Sequence, residues 1–188
     1  MSNRIVIEQI ATEEALRKDA AVADLSLVEA FASASRRREA LAWRAIVRRE
    51  LGAEVAISYD EYGAPKVDIP NIYISVSHSC DMVAVLFADR ECAVDIESSE
   101  RDFGRVESRY LSDEERQIAE QNNLYAEMWC AKEAIYKYYR KGGLDLVRDI
   151  VIGSYDSERG VLKGSVLGGA EVAVEVKREG NLVIAVID

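Results

Sequence analysis

Residues 125–143 read YAEMWCAKEAIYKYYRKGG, and the fold class follows from this stretch and its flanks. Met128, Ala131, Ile135, Tyr138 and Tyr139 recur at helical spacing and form one apolar stripe. The spacing predicts a helix over residues 125–140, stopped by Gly142 and Gly143. Upstream, Ser112-Asp113-Glu114-Glu115 has the form of a capping box opening another helix. Downstream lie four strand-like runs, near residues 149–155, 161–167, 171–176 and 182–187. The first half shows the same order. Its start reads as helix-rich, with Ala40, Trp43, Val47 and Leu51 at helical spacing over residues 35–51 and Gly52 as the stop. Strands then follow at 54–58, at 72–77 with alternating character, at 82–87 as an apolar central strand, and at 92–97. Helices followed by strands, twice over, predict an α+β fold of two similar α/β halves related by a pseudo-twofold, divided as 1–90 and 91–188.

With 188 residues the chain can bury one sizeable core or two smaller ones. Its formal charge of −10, with no long basic run to offset it, argues against nucleic acid as a partner. Arg36, Arg37 and Arg38 form one short basic cluster, which can hold a phosphate or simply face water. Cys80, Cys92 and Cys130 are odd in number and scattered, so a disulfide framework is not expected and a reducing compartment is. The opening residues MSNRIVIEQIATEEA carry acids and no long apolar core, so neither a signal peptide nor a membrane anchor is expected, and the cytoplasm is the expected location.

Three places can carry chemistry. Asp95 and Glu97 stand at i and i+2 on a strand, on the face opposite Val94 and Ile96. Side by side they repel unless a cation sits between them, and an all-oxygen set suits a hard ion such as magnesium. A solvated polar strand face is the plain alternative. Glu133 and Lys137 lie one helical turn apart on a face away from the apolar stripe, either as a surface ion pair or as active groups facing that strand. Ser77-His78-Ser79 holds the only histidine at the end of an alternating strand, where it can donate to phosphate or serve the fold. A Ser–His nucleophile is discounted, because neighbours on a strand point to opposite faces.

In this order these pieces resemble the 4′-phosphopantetheinyl transferase superfamily, of the larger monomeric type that activates peptide and polyketide synthetases. The family pattern is a G-K-P turn, an S-H-S strand end, G-(I/V)-D-x-E, and W/F-x-x-K-E-x-x-x-K. Here stand Tyr62-Gly63-Ala64-Pro65, Ser77-His78-Ser79, Ala93-Val94-Asp95-Ile96-Glu97, and Trp129 through Lys137. The likeness runs from about Arg36 to Val151, with Lys141-Gly142-Gly143-Leu144 after the long helix. Two departures stand out. Ala64 replaces the G-K-P lysine, with Lys66 two places on as a substitute, and Ala93 replaces the glycine before D-x-E.

The resemblance implies an active site in the cleft between the halves, the first supplying coenzyme A contacts and the second the metal-binding and catalytic motifs. Asp95, Glu97 and Glu133 would hold Mg2+. Glu133 and Lys137 would be catalytic. Arg38, Lys66, Ser77, His78 and Lys132 would contact coenzyme A. The implied reaction transfers 4′-phosphopantetheine from coenzyme A to a serine of an apo acyl or peptidyl carrier protein, releasing 3′,5′-ADP. One alternative is a non-catalytic protein of the same fold that binds coenzyme A or carrier; another is an unrelated acidic metal-dependent hydrolase. Because carrier proteins of this kind are themselves acidic, docking is expected to use a local patch with Arg101, Phe103, Arg105 and Arg109. Phe103 and Tyr110 are the expected anchors, unless they pack inside.

Overall fold

The structure, a computed structural model, describes residues 3–188. The chain is α+β and divides into two compact units, residues 1–90 and 91–188.

In the first unit, strand β1 (Arg4–Gln9) leads into helices α1 (Glu13–Lys18), α2 (Val22–Val28) and α3 (Ala34–Leu51). A small hairpin, β2 (Ile57–Tyr59) and β3 (Pro65–Val67), precedes β4 (Tyr73–Ser79) and β5 (Met82–Ala88). The main sheet is antiparallel, in the order β1-β5-β4, so the apolar run at 82–87 is central. Helix α3 starts at the Ser33 cap and stops at Gly52, whose φ of 112° suits glycine. Its Trp43, Ile46 and Val47 pack with Val6, Ile74, Val83, Val85 and Phe87. Strand β1 departs from the expected helical start. Its residues Ile5, Val6 and Ile7 form an apolar run too short to show a period, and their strand character comes from pairing with β5. The expected strand at 54–58 is shifted to β2, whose hairpin turn is held by the Asp60 carboxylate accepting from the N–H groups of Tyr62 and Ala64, each at 2.9 Å. A buried Asp24 on α2 ties this layer together, accepting from Arg48 Nε at 2.6 Å and Nη2 at 3.1 Å.

In the second unit, β6 (Ala93–Ser98) is followed by a 3-10 helix (Gly104–Arg109), α4 (Asp113–Asn122) and α5 (Tyr125–Tyr139). Strands β7 (Ile150–Asp156), β8 (Val161–Val166), β9 (Val172–Glu179) and β10 (Leu182–Ile187) complete an antiparallel sheet in the order β6-β10-β9-β8-β7. Helix α5 lies across this sheet. Its Met128, Ala131, Ala134 and Ile135 are fully buried against Ile150, Leu162, Val174, Val183 and Ala185. On β8, a Cβ added at Gly164 would meet Ile135 Cδ1 at 2.7 Å, so the strand passes directly beneath the helix. The helix ends before the expected glycines. Arg140, at φ 48°, takes the left-handed turn, and the chain reverses at once.

The reversal serves a buried polar knot. Lys132 is fully buried on α5 and its Nζ donates to the Glu115 carboxylate at 2.7 Å, to Leu146 O at 2.7 Å and to Ile150 O at 2.8 Å. Glu115 is the capping-box residue of α4, accepting from Ser112 N–H at 2.8 Å, and it also accepts from Ile152 N–H at 2.7 Å. Burial pulls the Lys132 pKa below its ordinary value, and the Glu115 carboxylate works against that pull. Lys132 is thereby removed from the expected coenzyme A contacts: its three protons are spent inside the second unit.

Among the described residues no helix is long and apolar enough to cross a membrane. Lys132→Met strands a buried carboxylate and should cost about 3–5 kcal/mol in urea unfolding, with coenzyme A affinity of the folded protein unchanged. A cost under about 1 kcal/mol would place the pair with ordinary surface bridges.

Candidate active site

The register of β6 on β10 sets Asp95 opposite Ala185 and Glu97 opposite Val183. Val183 and Ala185 belong to the core beneath α5, so both carboxylates stand on the side that the helix covers. From α5, Cys130, Glu133 and Lys137 turn to the same side, three and four residues apart. Lys137 Nζ donates to Asp95 Oδ1 at 2.7 Å and to Val94 O at 3.0 Å. Arg101 Nη1 donates to Glu97 Oε1 at 3.1 Å.

Glu133 registers this crowding. Its pKa is pushed above the ordinary carboxylate value, first by burial and then by the charge of Asp95; Lys137 opposes the shift and Glu97 adds to it. Burial first, and then the charges of Asp95 and Glu97, push the Cys130 thiol pKa well above its ordinary value. The donor chemistry, three carboxylates in one neighbourhood, suits a hard divalent ion. As they stand the donors do not converge: among the described residues no three carboxylate, thiol or imidazole groups are gathered closely enough to hold a metal ion. Lys137 and Arg101 hold the two strand carboxylates instead.

Trp129, which opens the motif, anchors the segment after β6. Its ring lies 5.2 Å from that of Tyr110 and 5.6 Å from that of Phe103. Arg101 sits over both Phe103 and Trp129. Phe103 and Tyr110 are buried, and the Tyr110 hydroxyl donates to Tyr125 O at 3.0 Å. The alternative, that both pack inside, therefore holds, and the aromatic cluster takes them out of the candidate docking surface. Arg105 and Arg109 remain exposed.

In the first unit His78 lies on β4, half exposed, with Nε2 3.5 Å from Glu39 Oε2. Two cavities share these residues. One, of about 180 Å³, is lined also by Arg38, Ser79, Cys80 and Asp81. The other, of about 210 Å³, is lined by Phe31, Arg36, Trp43, Tyr59 and Pro65. The arginines of the cluster are held by different partners. Arg37 is engaged with Glu13 and the carbonyls of Phe31 and Ala32, Arg38 donates to Ala11 O at 3.2 Å and Ile10 O at 3.1 Å and reaches Asp81 at 3.2 Å, and Arg36 lies over the Phe31 ring. Ser77 is buried, and Lys66 is exposed on β3, outside both cavities. Sequence reading missed Glu39, and it placed Arg101 in a docking patch and not beside Glu97. The spacing of Arg36, Glu39, Ala40 and Trp43 on one face of α3 was the available signal for the first.

A search among curated proteins found no match to this chain. A family model, that of the 4′-phosphopantetheinyl transferase superfamily, matches residues 91–186. The matched stretch is just over half of the chain and carries both the Asp95–Glu97 strand and the helix of Glu133 and Lys137, which makes this protein a member of the 4′-phosphopantetheinyl transferase superfamily.

Proposed function

We propose that this protein transfers the 4′-phosphopantetheine group of coenzyme A to a serine of an apo acyl or peptidyl carrier protein and releases 3′,5′-ADP. Membership in the superfamily makes it a transferase of the phosphopantetheinyl type, a class that draws on coenzyme A and acts on carrier proteins. The observation that supports the finer reading is geometric: Asp95 and Glu97 on β6 face the helix of Glu133 and Lys137, with Lys137 Nζ on Asp95 Oδ1 at 2.7 Å.

The serine hydroxyl attacks the β-phosphate, forming the new O–P bond as the bond to 3′,5′-ADP breaks. Glu133 is the candidate to take the hydroxyl proton, directly or through water, or else serves as a metal ligand alone, since one carboxylate cannot easily be both a tight ligand and a free base. Lys137 supplies a positive point charge to the leaving phosphate. Asp95, Glu97 and Glu133 would together hold a magnesium ion, which when bound supplies Lewis acidity at the pyrophosphate. The first unit is assigned the coenzyme A contacts, with His78 and Arg38 on its phosphates; Ser77, which is buried, and Lys66, outside both cavities, are its remaining candidates. We assign the protein to the cytoplasm, as a monomer.

Incubation with coenzyme A, magnesium and a panel of apo-carrier proteins tests the reading by mass. A carrier that gains the pantetheine arm supports it. An unchanged carrier points to a binding protein, and cleavage of coenzyme A alone points to a hydrolase. Asp95→Ala and Glu133→Ala should abolish transfer without unfolding the protein, as should chelation; full activity in excess EDTA would remove the metal. His78→Ala should weaken coenzyme A binding by about 1–3 kcal/mol with little change in thermal stability. The opposite pattern, lost stability and unchanged affinity, would make His78 structural.

In the metal-stripped protein Glu133→Gln should raise the unfolding temperature at neutral pH. Folding holds this carboxyl above its ordinary value of 4.5, so its ionised form costs stability above the folded pKa. That cost fades as pH falls through the folded pKa and is absent below the ordinary value. The gain from the substitution should therefore shrink on acidification, and a gain independent of pH would refute the crowding of Glu133.

A further inference from the structure

The carboxylates of β6 each hold a cation belonging to this chain. Lys137 sits on Asp95 at 2.7 Å, its side chain about one-third exposed and its ammonium also bonded to Val94 O. Arg101 sits on Glu97 at 3.1 Å, half exposed. Two side-chain cations bring the same charge as one divalent ion. Binding such an ion is therefore an exchange of positive charge, and does not simply fill an open negative site.

We infer that Lys137 is a built-in competitor for the metal position, which must release Asp95 before Asp95, Glu97 and Glu133 can close on an ion. The inference rests on the magnesium reading of the proposed function. It gives Lys137 two successive places. In the metal-free protein its ammonium occupies Asp95 Oδ1. Once displaced, it is free to turn to an anionic group of the substrate, so it reaches phosphate only when the metal is already in place. A lysine suits this exchange better than an arginine. Its single-point charge on a flexible stem leaves one carboxylate oxygen more readily than a two-pronged guanidinium does. The inference also makes the affinity for metal a property of residue 137, which supplies no ligand.

Binding of Mn2+ to the metal-stripped full-length protein, followed by the electron paramagnetic resonance of the free ion, tests this without any turnover. Lys137→Met should bind Mn2+ about tenfold more tightly than the parent, since the substitution removes a cation that competes for Asp95. Lys137→Gln should do the same if the methionine variant folds poorly. Lys137→Arg should bind no more tightly than the parent. Arg101→Met should gain less than Lys137→Met, because the more exposed pair is screened by solvent. Affinity unchanged or weakened in Lys137→Met and Lys137→Gln would overturn the inference. So would an equal gain in Arg101→Met, which would reflect net charge and not a particular contact. Absence of Mn2+ binding to the parent and to every variant would instead sink the magnesium reading itself.

Discussion

A single buried carboxylate organises the second unit. Glu115 closes the first turn of α4, accepts the N–H that starts β7 on its course, and holds the ammonium of Lys132 within α5. A charge this deep is tolerable only when every lone pair facing the interior is used, and here the partners come from helix, helix and strand. Fixing α5 by one face fixes the rotation of the whole helix. The neighbouring residue, Glu133, is thereby turned toward β6, where Asp95 and Glu97 stand. The adjacent Lys-Glu pair of the motif thus does two jobs in opposite directions: the lysine holds the helix and the glutamate meets the chemistry.

The extent to which this was legible depended on distance along the chain. The helix at 125–139, the capping box at Ser112–Glu115 and the shared face of Asp95 and Glu97 are local patterns, and periodicity exposes them. Strand β1 owes its form to β5, more than seventy residues away, and no local pattern announces that. The placement of Lys132 was readable in principle. It falls between Met128 and Ile135 at helical spacing, so an apolar stripe runs through a lysine, and such a lysine needs a buried partner. What could not be read was which acid supplied it. Glu39 beside His78 and Arg101 beside Glu97 are likewise pairings of residues from different elements.

The aromatic cluster explains why a chain with so few aromatic residues places three of them here. Trp129, Phe103 and Tyr110 pack edge and face, and the one polar tip that is fully inside, the Tyr110 hydroxyl, finds a carbonyl. They hold the segment after β6 so that Arg101 returns over their rings to Glu97. Packing and site electrostatics are therefore mechanically joined, since the guanidinium that shields one carboxylate rests on the same rings that close the core.

The contact beneath α5 has a reach beyond packing. Gly164 lies under Ile135 with no room for another carbon, and Ile135 sits two residues from both Glu133 and Lys137. A side chain at 164 would meet the tip of Ile135 and, at 3.1 Å, Val151 O, so the packing beneath the helix that carries Glu133 and Lys137 would have to rearrange. An ångström of misplacement can cost a catalyst on the order of a hundredfold. How closely this helix lies on its sheet is thus set partly by the lack of a side chain on β8.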